Sequence, residues 1–295
     1  MFVPHGLYGL YRPIDLLGCA SIIGAGSHST ALAPVHAGKG EWKAPDGSNL
    51  PVIMSTANRS QQQRQQQRQG NGSANAEPPL MLIQDFDLYT QASRSPFLDL
   101  AVGSNVLMRD VGISLFCSAA GTPGKWPPPL PSNRHPSDGS DSESHGTDTK
   151  GRTVAPSPPL AFVTIRKVSG KFFGLPLDGI FGNADAMSLI LVSGATHGRL
   201  DFYQASTEHS GHNPQTLLND STDVHFHSWK YESSLTGDKA KTSNSSLVWI
   251  QNSSTIALFG GAGYYRTYLG APMIELRDGS RDITLMGLER EWAFK

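Results

Sequence analysis

The stretch "APMIELRDGSRDITLMGLEREWAF", residues 271–294, decides the fold that the sequence predicts. Apolar and polar side chains alternate on both sides of Asp278-Gly279, and this period of two is typical of half-buried β-strands. Asp-Gly is also a favoured two-residue hairpin turn. We therefore expect an antiparallel hairpin, in which a strand that begins near Ile283 pairs with residues 273–277.

The same period of two recurs along the chain. It is present in "DVGISLFC" (110–117) and "LAFVTIRKV" (160–168), and the short apolar runs "MSLILVSG" (187–194) and "SLVWIQ" (246–251) are typical of buried strands. No helical periodicity extends over ten or more residues, and 20 prolines and 31 glycines interrupt the apolar runs. The sequence therefore predicts an all-β protein of the antiparallel β-sandwich or jelly-roll type.

Two low-complexity segments divide the predicted β structure. Residues 57–79 are rich in Gln and Arg, and residues 121–159 are rich in Pro, Ser and Asp. Both have too few apolar residues to form a core, which predicts two long disordered loop insertions. The ordered blocks are then 1–56, 80–120 as part of the same core, and 160–295 as the main core. In "PPPLP", Pro127, Pro128 and Pro131 form either a stiff linker or a polyproline ligand for a partner domain.

Composition restricts the class of partner and the compartment. A formal net charge of -1 offers no broadly basic face, so we expect no nucleic-acid binding. No apolar run approaches the ~18 residues that span a bilayer, and the N-terminus lacks the apolar segment of a signal peptide. With only two cysteines, a disulfide-stapled secreted domain is not indicated. We expect an intracellular and soluble protein in the cytoplasm, with an organelle as the alternative.

A histidine cluster is the main candidate site. On a strand, "VHFHSWKY" (224–231) places His225 and His227 on one face, together with Trp229 and Tyr231. Two imidazoles on one face can chelate a zinc, iron or manganese ion. The candidate metal ligands are His225, His227 and Glu232, or alternatively a four-histidine set in which His209 and His212 join the pair. The alternative is that these are ordinary polar side chains of a sheet surface.

The spacing His-x-His-x4-Glu, from His225 to Glu232, resembles the first half of the cupin metal motif. The resemblance covers about ten residues. It implies a jelly roll in which two histidines and a glutamate, with a later histidine, hold iron, manganese, zinc or nickel. No histidine follows His227 in this chain, so the last cupin ligand is missing.

Three functions follow as hypotheses. No nucleophile elbow and no Walker lysine occur, and the glycine runs "GAGSHS" (24–29) and "GGAGYY" (260–265) precede no helical pattern. The first hypothesis is therefore a non-catalytic β-sandwich subunit or adaptor that binds other protein subunits in an intracellular assembly. The second is a cupin-like metal-dependent jelly-roll enzyme that uses His225, His227 and Glu232. The third is a carbohydrate- or lipid-binding β module. The exposed aromatic side chains expected at Trp229 and Tyr231 would serve a binding face.

Overall fold

The structure is a computed structural model, and it describes twelve segments of the chain. These are residues 1–17, 20–34, 50–56, 80–90, 97–101, 103–115, 161–178, 188–194, 198–210, 214–233, 246–264 and 272–291. The two predicted inserts, 57–79 and 121–159, lie outside the described residues, as do Pro127, Pro128 and Pro131. None of the described residues is in a helix.

The described strands form two sheets. The first, sheet A, has 13 strands. They are β1 (Phe2–Val3), β2 (Gly6–Leu10), β4 (Ile22–Gly24), β5 (Thr30–Pro34), β7 (Met81–Thr90), β9 (Gly103–Leu115), β11 (Val168–Phe173), β12 (Pro176–Asp178), β14 (Leu200–Tyr203), β15 (Ser206–Ser210), β17 (Thr222–Ser233), β19 (Ser254–Tyr264) and β21 (Arg281–Glu291). The second, sheet B, has eight strands. They are β3 (Ile14–Asp15), β6 (Ile53–Ser55), β8 (Leu98–Leu100), β10 (Ala161–Arg166), β13 (Ser188–Ser193), β16 (Thr216–Asn219), β18 (Val248–Gln251) and β20 (Ile274–Arg277).

The chain winds through these sheets as a parallel β-solenoid. It passes along sheet A, crosses to one strand of sheet B, and returns to sheet A beside the strand that it left, so each circuit is one coil. In sheet A, β14 pairs with β17, β17 with β19, and β19 with β21, all in parallel. In sheet B, β16, β18 and β20 pair in the same way. The predicted antiparallel sandwich or jelly roll is therefore wrong.

The strands of sheet A bend at a corner that recurs from coil to coil, and the corner residue has a left-handed backbone conformation. In seven successive coils the same register position has a positive φ between 52° and 67°. This corner divides sheet A into a first limb, which precedes it, and a second limb, which follows it. The backbone therefore turns without leaving the sheet, and it turns at the same point in each coil. The corner residues are Asp85, Asp110, Gly174, Gln204, Ser228, Gly260 and Gly287.

A second corner joins sheet B to sheet A, and it contains the predicted hairpin turn. Asp278 and Gly279 have φ values of 42° and 72°, and a two-residue type I′ hairpin turn also needs positive φ at both residues. Asp278 follows β20, however, and the chain then enters the other sheet. There β21 pairs in parallel with β19, while β20 pairs with β18. The predicted pairing of 273–277 with the strand after Ile283 is therefore wrong. Left-handed residues suit a tight hairpin and a solenoid corner equally well.

The core consists of side chains stacked along the solenoid axis. Phe172, Phe202 and Phe226 occupy one register position in consecutive coils and are almost fully buried. Their ring centroids lie 5.1 Å apart for the first pair and 4.5 Å for the second. Burying a side chain of this size contributes roughly 1.5–3 kcal/mol. The stack therefore stabilises the contact between neighbouring coils.

Large and small side chains alternate between coils in the second limb. Trp229 and Tyr231 point into the core and are at most 2% exposed. Their register partners in the next coil are Gly261 and Gly263. A Cβ atom at Gly263 would lie 1.8 Å from the Tyr231 carbonyl oxygen. The glycines therefore leave the space that the two aromatic rings fill.

No helix in the described part of the chain is long and apolar enough to cross a membrane.

Candidate functional site

The two central histidines lie on the outer surface of the first limb. Val224 and Phe226 of β17 are buried, so the alternation of the strand points His225 and His227 away from the core. Their side chains are 13% and 25% exposed. The two rings meet edge to face, with centroids 6.2 Å apart. The structure therefore places this predicted pair together on one face.

The corner at Ser228 separates the other predicted residues of β17 from this pair. Because Ser228 is left-handed (φ 55°), it shifts the alternation by one residue, and Trp229 and Tyr231 point into the core. Neither ring is available to a partner. Glu232 lies in the second limb, where its carboxylate is 3.2 Å from the Lys230 ammonium. The structure does not bring Glu232 to the histidine pair.

The alternative histidine ligands remain outside what the structure describes. His209 lies in β15, but its side chain is not among those described. His212 lies in the gap between residues 210 and 214. The four-histidine set therefore stays a prediction.

Asp201 supplies a third ligand that the sequence did not reveal. It lies in β14, in register with His225 of the next coil, and its side chain is only 5% exposed. Its Oδ1 is 3.1 Å from His227 Nε2 and 3.7 Å from His225 Nδ1. Asp201, His225 and His227 each offer a ligand atom, and these atoms all lie within 4.8 Å of one another.

Two charged neighbours orient these groups. Arg199 Nε donates to both carboxylate oxygens of Asp201 at 2.9 Å. On the other side, Asp223 Oδ1 lies 3.2 Å from His225 Nε2. A carboxylate at this position favours a proton on Nε2, which leaves Nδ1 of His225 with its lone pair towards Asp201. That Nδ1 atom is buried and has no hydrogen-bond partner within the described residues.

The surroundings of His225 favour its neutral form. Burial is the main cause that lowers the pKa of His225, and the nearby Arg199 cation lowers it further. Asp223 and Asp201 act in the opposite direction but do not outweigh burial. For Arg199 itself, the hydrogen bond to Asp201 raises the pKa, so this guanidinium stays charged. Histidine binds a metal ion in its neutral form, through an unprotonated ring nitrogen.

The spacing of the three groups fits a transition-metal ion. Ligand atoms about 2.1 Å from a tetrahedral ion lie roughly 3.4 Å from each other. The two distances to Asp201 Oδ1, 3.1 Å and 3.7 Å, bracket that separation. Two imidazole nitrogens and one carboxylate oxygen are a donor set suited to zinc, iron or manganese. Three protein ligands would also leave coordination positions open towards solvent.

An aromatic stack fixes the plane of the His227 ring. Tyr203 and Phe259 cover the two faces of that ring, with centroids 4.6 Å and 5.4 Å away. Phe173 stacks on the far side of Tyr203 at 4.7 Å. Because Tyr203 and His227 are each covered on both faces by a neighbouring ring, neither offers an open face on which a sugar ring could stack. The stack instead restricts rotation of His227 and holds its Nε2 edge near Asp201.

Comparisons with known proteins do not identify a family. No protein-family model matches the chain, and no curated protein matches it. Among solved structures, the chain is similar to "Geobacillus virus E2 - ORF18", with 11% sequence identity and a TM-score of 0.42. The match covers 98% of this chain and 53% of that one, so the chain spans about half the length of the viral structure.

Proposed function

We propose that this protein is a metal-binding β-solenoid, which holds one divalent transition-metal ion, best Zn²⁺, between Asp201, His225 and His227. One observation carries the proposal. The buried Nδ1 of His225 has no hydrogen-bond partner within the described residues, and it lies 3.7 Å from the Asp201 carboxylate. A buried imidazole nitrogen without a partner is costly, and a bound ion would satisfy it.

The neighbouring residues support the same role. Metal-binding histidines usually donate their second ring N–H to a carboxylate, and Asp223 is positioned to accept it from His225. Arg199 holds the Asp201 carboxylate through both oxygens, which orients it as a ligand. Because a metal ion binds an unprotonated ring nitrogen of histidine, zinc binding at this centre should weaken at acid pH.

Three protein ligands would leave at least one coordination position of the ion free, an arrangement that catalytic zinc sites share. No observation in the described residues favours the adaptor or the carbohydrate-binding hypothesis. The carbohydrate- or lipid-binding hypothesis drew on exposed aromatic side chains, but Trp229 and Tyr231, also the predicted partner-binding residues, are buried. The adaptor hypothesis remains a prediction of the sequence.

The test measures zinc stoichiometry and affinity on metal-free protein, by elemental analysis and by competition with a chromophoric chelator. We expect one ion per chain. The variants Asp201→Asn, His225→Gln and His227→Gln should each lose it or weaken it by about tenfold or more. Zinc at 100 times its dissociation constant should also stabilise the fold by about 2.7 kcal/mol.

A matched control is available in the turn between β4 and β5. His28 Nδ1 lies 3.2 Å from the buried carboxylate of Asp87, but the His28 side chain is 88% exposed. His28→Gln therefore removes a histidine from a histidine–aspartate pair without affecting the proposed centre, and it should retain zinc. If His225→Gln binds zinc as well as the unmodified chain, or if the unmodified chain binds none, the proposal is wrong.

A further inference from the structure

A cleft adjoins the proposed metal centre on the outer face of the first limb. Its volume is about 460 Å³, and its wall includes Asp201 and Arg199 of the centre together with Ser169, Gly170 and Lys171 of the preceding coil. This volume is within the range of small-molecule sites, roughly 300–1,000 Å³. Asp201 therefore belongs both to the proposed metal centre and to the wall of a space large enough for a ligand.

A glycine in the wall of the cleft allows two coils to pack closely there. Gly170 has a φ of 148°, and a Cβ at this position would lie 2.1 Å from the Val106 carbonyl oxygen. The coil can therefore pack closely against its neighbour only with glycine here.

The charges in the cleft favour an anion. Its lining has two cations, Lys171 and Arg199, and one carboxylate, Asp201. Lys171 is exposed, in register with Asp201, and makes no ion pair within the part of the chain that the structure describes. Arg199 uses only Nε in its described hydrogen bonds, so its two terminal nitrogens remain for a ligand. A divalent ion on Asp201 would add further positive charge at the same edge.

We infer that the cleft binds a small organic anion, whose carboxylate or phosphate group is held by Lys171 and Arg199 and completes the coordination of the metal ion. The inference rests on the proposed metal site. An oxyanion matches both partners, because guanidinium and ammonium groups form charge-assisted hydrogen bonds to it and a zinc ion with open positions accepts its oxygen. An uncharged ligand would leave the Lys171 ammonium and the two terminal nitrogens of Arg199 without a charged partner in the cleft.

The experiment uses the full chain loaded with Co²⁺ in place of zinc, because the visible absorption of cobalt changes when a new ligand joins the ion. The probes are acetate, inorganic phosphate and, as the uncharged control, glycerol. We expect acetate or phosphate to change the spectrum in a saturable way and glycerol to leave it unchanged. The anion with the higher affinity for the Co²⁺-loaded chain identifies the ligand class as a carboxylate or a phosphate.

The variant Lys171→Gln tests the cleft without altering a proposed metal ligand. It should bind Co²⁺ normally but weaken the anion by about tenfold, as expected for loss of a hydrogen bond between charged groups. Lys230→Gln, on the second limb, is the control and should not change anion affinity. Equal anion affinity in Lys171→Gln and the unmodified chain overturns the inference while leaving the metal site intact. If bound Co²⁺ gives no visible absorption, or gives an absorption that is unchanged in His225→Gln, the proposed function is wrong as well.

Discussion

The fit between large and small side chains in neighbouring coils can be tested by adding one methyl group. In Gly263→Ala, the new Cβ would lie 1.8 Å from the carbonyl oxygen of Tyr231 and 2.8 Å from its ring atom Cδ2. The nearest atom belongs to the backbone of the paired strand, which cannot move without breaking the ladder between β17 and β19. The Tyr231 ring is also held, because its hydroxyl donates to the Glu289 carbonyl oxygen.

The expected magnitude follows from two opposing effects. Overpacking a core typically costs about 1–3 kcal/mol, while replacing glycine by alanine lowers the entropy of the unfolded chain and returns about 0.4–1 kcal/mol. We expect a net destabilisation of about 1–2 kcal/mol. For a chain of this size that corresponds to a fall in Tm of roughly 2–8 °C, measured by calorimetry or by circular dichroism.

The control for this prediction is Ala262→Ser in the same strand. Ala262 is exposed and points away from the core, so its stability should change by less than about 0.5 kcal/mol. A Tm for Gly263→Ala equal to or above that of the unmodified chain would refute the packing of Tyr231 over Gly263, and with it the register of β17 and β19.

Three further predictions concern the corners and the ion pairs. Gln204→Gly should raise the free energy of unfolding by up to about 1 kcal/mol, because Gln204 has a φ of 54° that glycine adopts without steric cost. An unchanged midpoint of urea unfolding would contradict the left-handed corner at Gln204. Burial raises the pKa of Asp99 and Arg166 opposes it, so Arg166→Gln should raise that pKa further in a carboxyl NMR titration, and a lowered value would contradict this. The hydrogen bond from Arg277 lowers the pKa of Glu275, so Arg277→Gln should return it towards its ordinary value in the same titration, whereas no change would show that another group is responsible.

The sequence predicted the strands but not their direction of pairing. A period of two shows that one face of a strand is buried, and it is the same for parallel and antiparallel neighbours. Equivalent positions such as Leu200, Val224, Ile256 and Ile283 are unequally spaced in the sequence, so no repeat of fixed length indicated a solenoid. Asp278-Gly279 favoured the antiparallel prediction because Asp-Gly is a common hairpin turn. In the structure these two residues form the corner between sheet B and sheet A.

The candidate site was predicted in part for the same reason. His225 and His227 lie two residues apart on one strand, so local alternation was sufficient to place them together. Asp201 is their neighbour only through the register of β14 with β17, which no local pattern reveals. Trp229 was assigned to the histidine face because a left-handed Ser228 was not expected, since non-glycine residues rarely have a positive φ. A single backbone angle thus reversed the inward and outward faces for the rest of the strand.

The parallel winding has a consequence for how this chain tolerates added sequence. β9 ends at Leu115 and β10 begins at Ala161, yet β9 still pairs with β11 and β10 with β8. In general, each doubling of the length of a flexible connection between two strands costs only about 0.6 kcal/mol. The position between β9 and β10 is therefore a natural point for genetic fusion, where a fluorescent protein or an affinity domain could be inserted with both flanking strands kept in register.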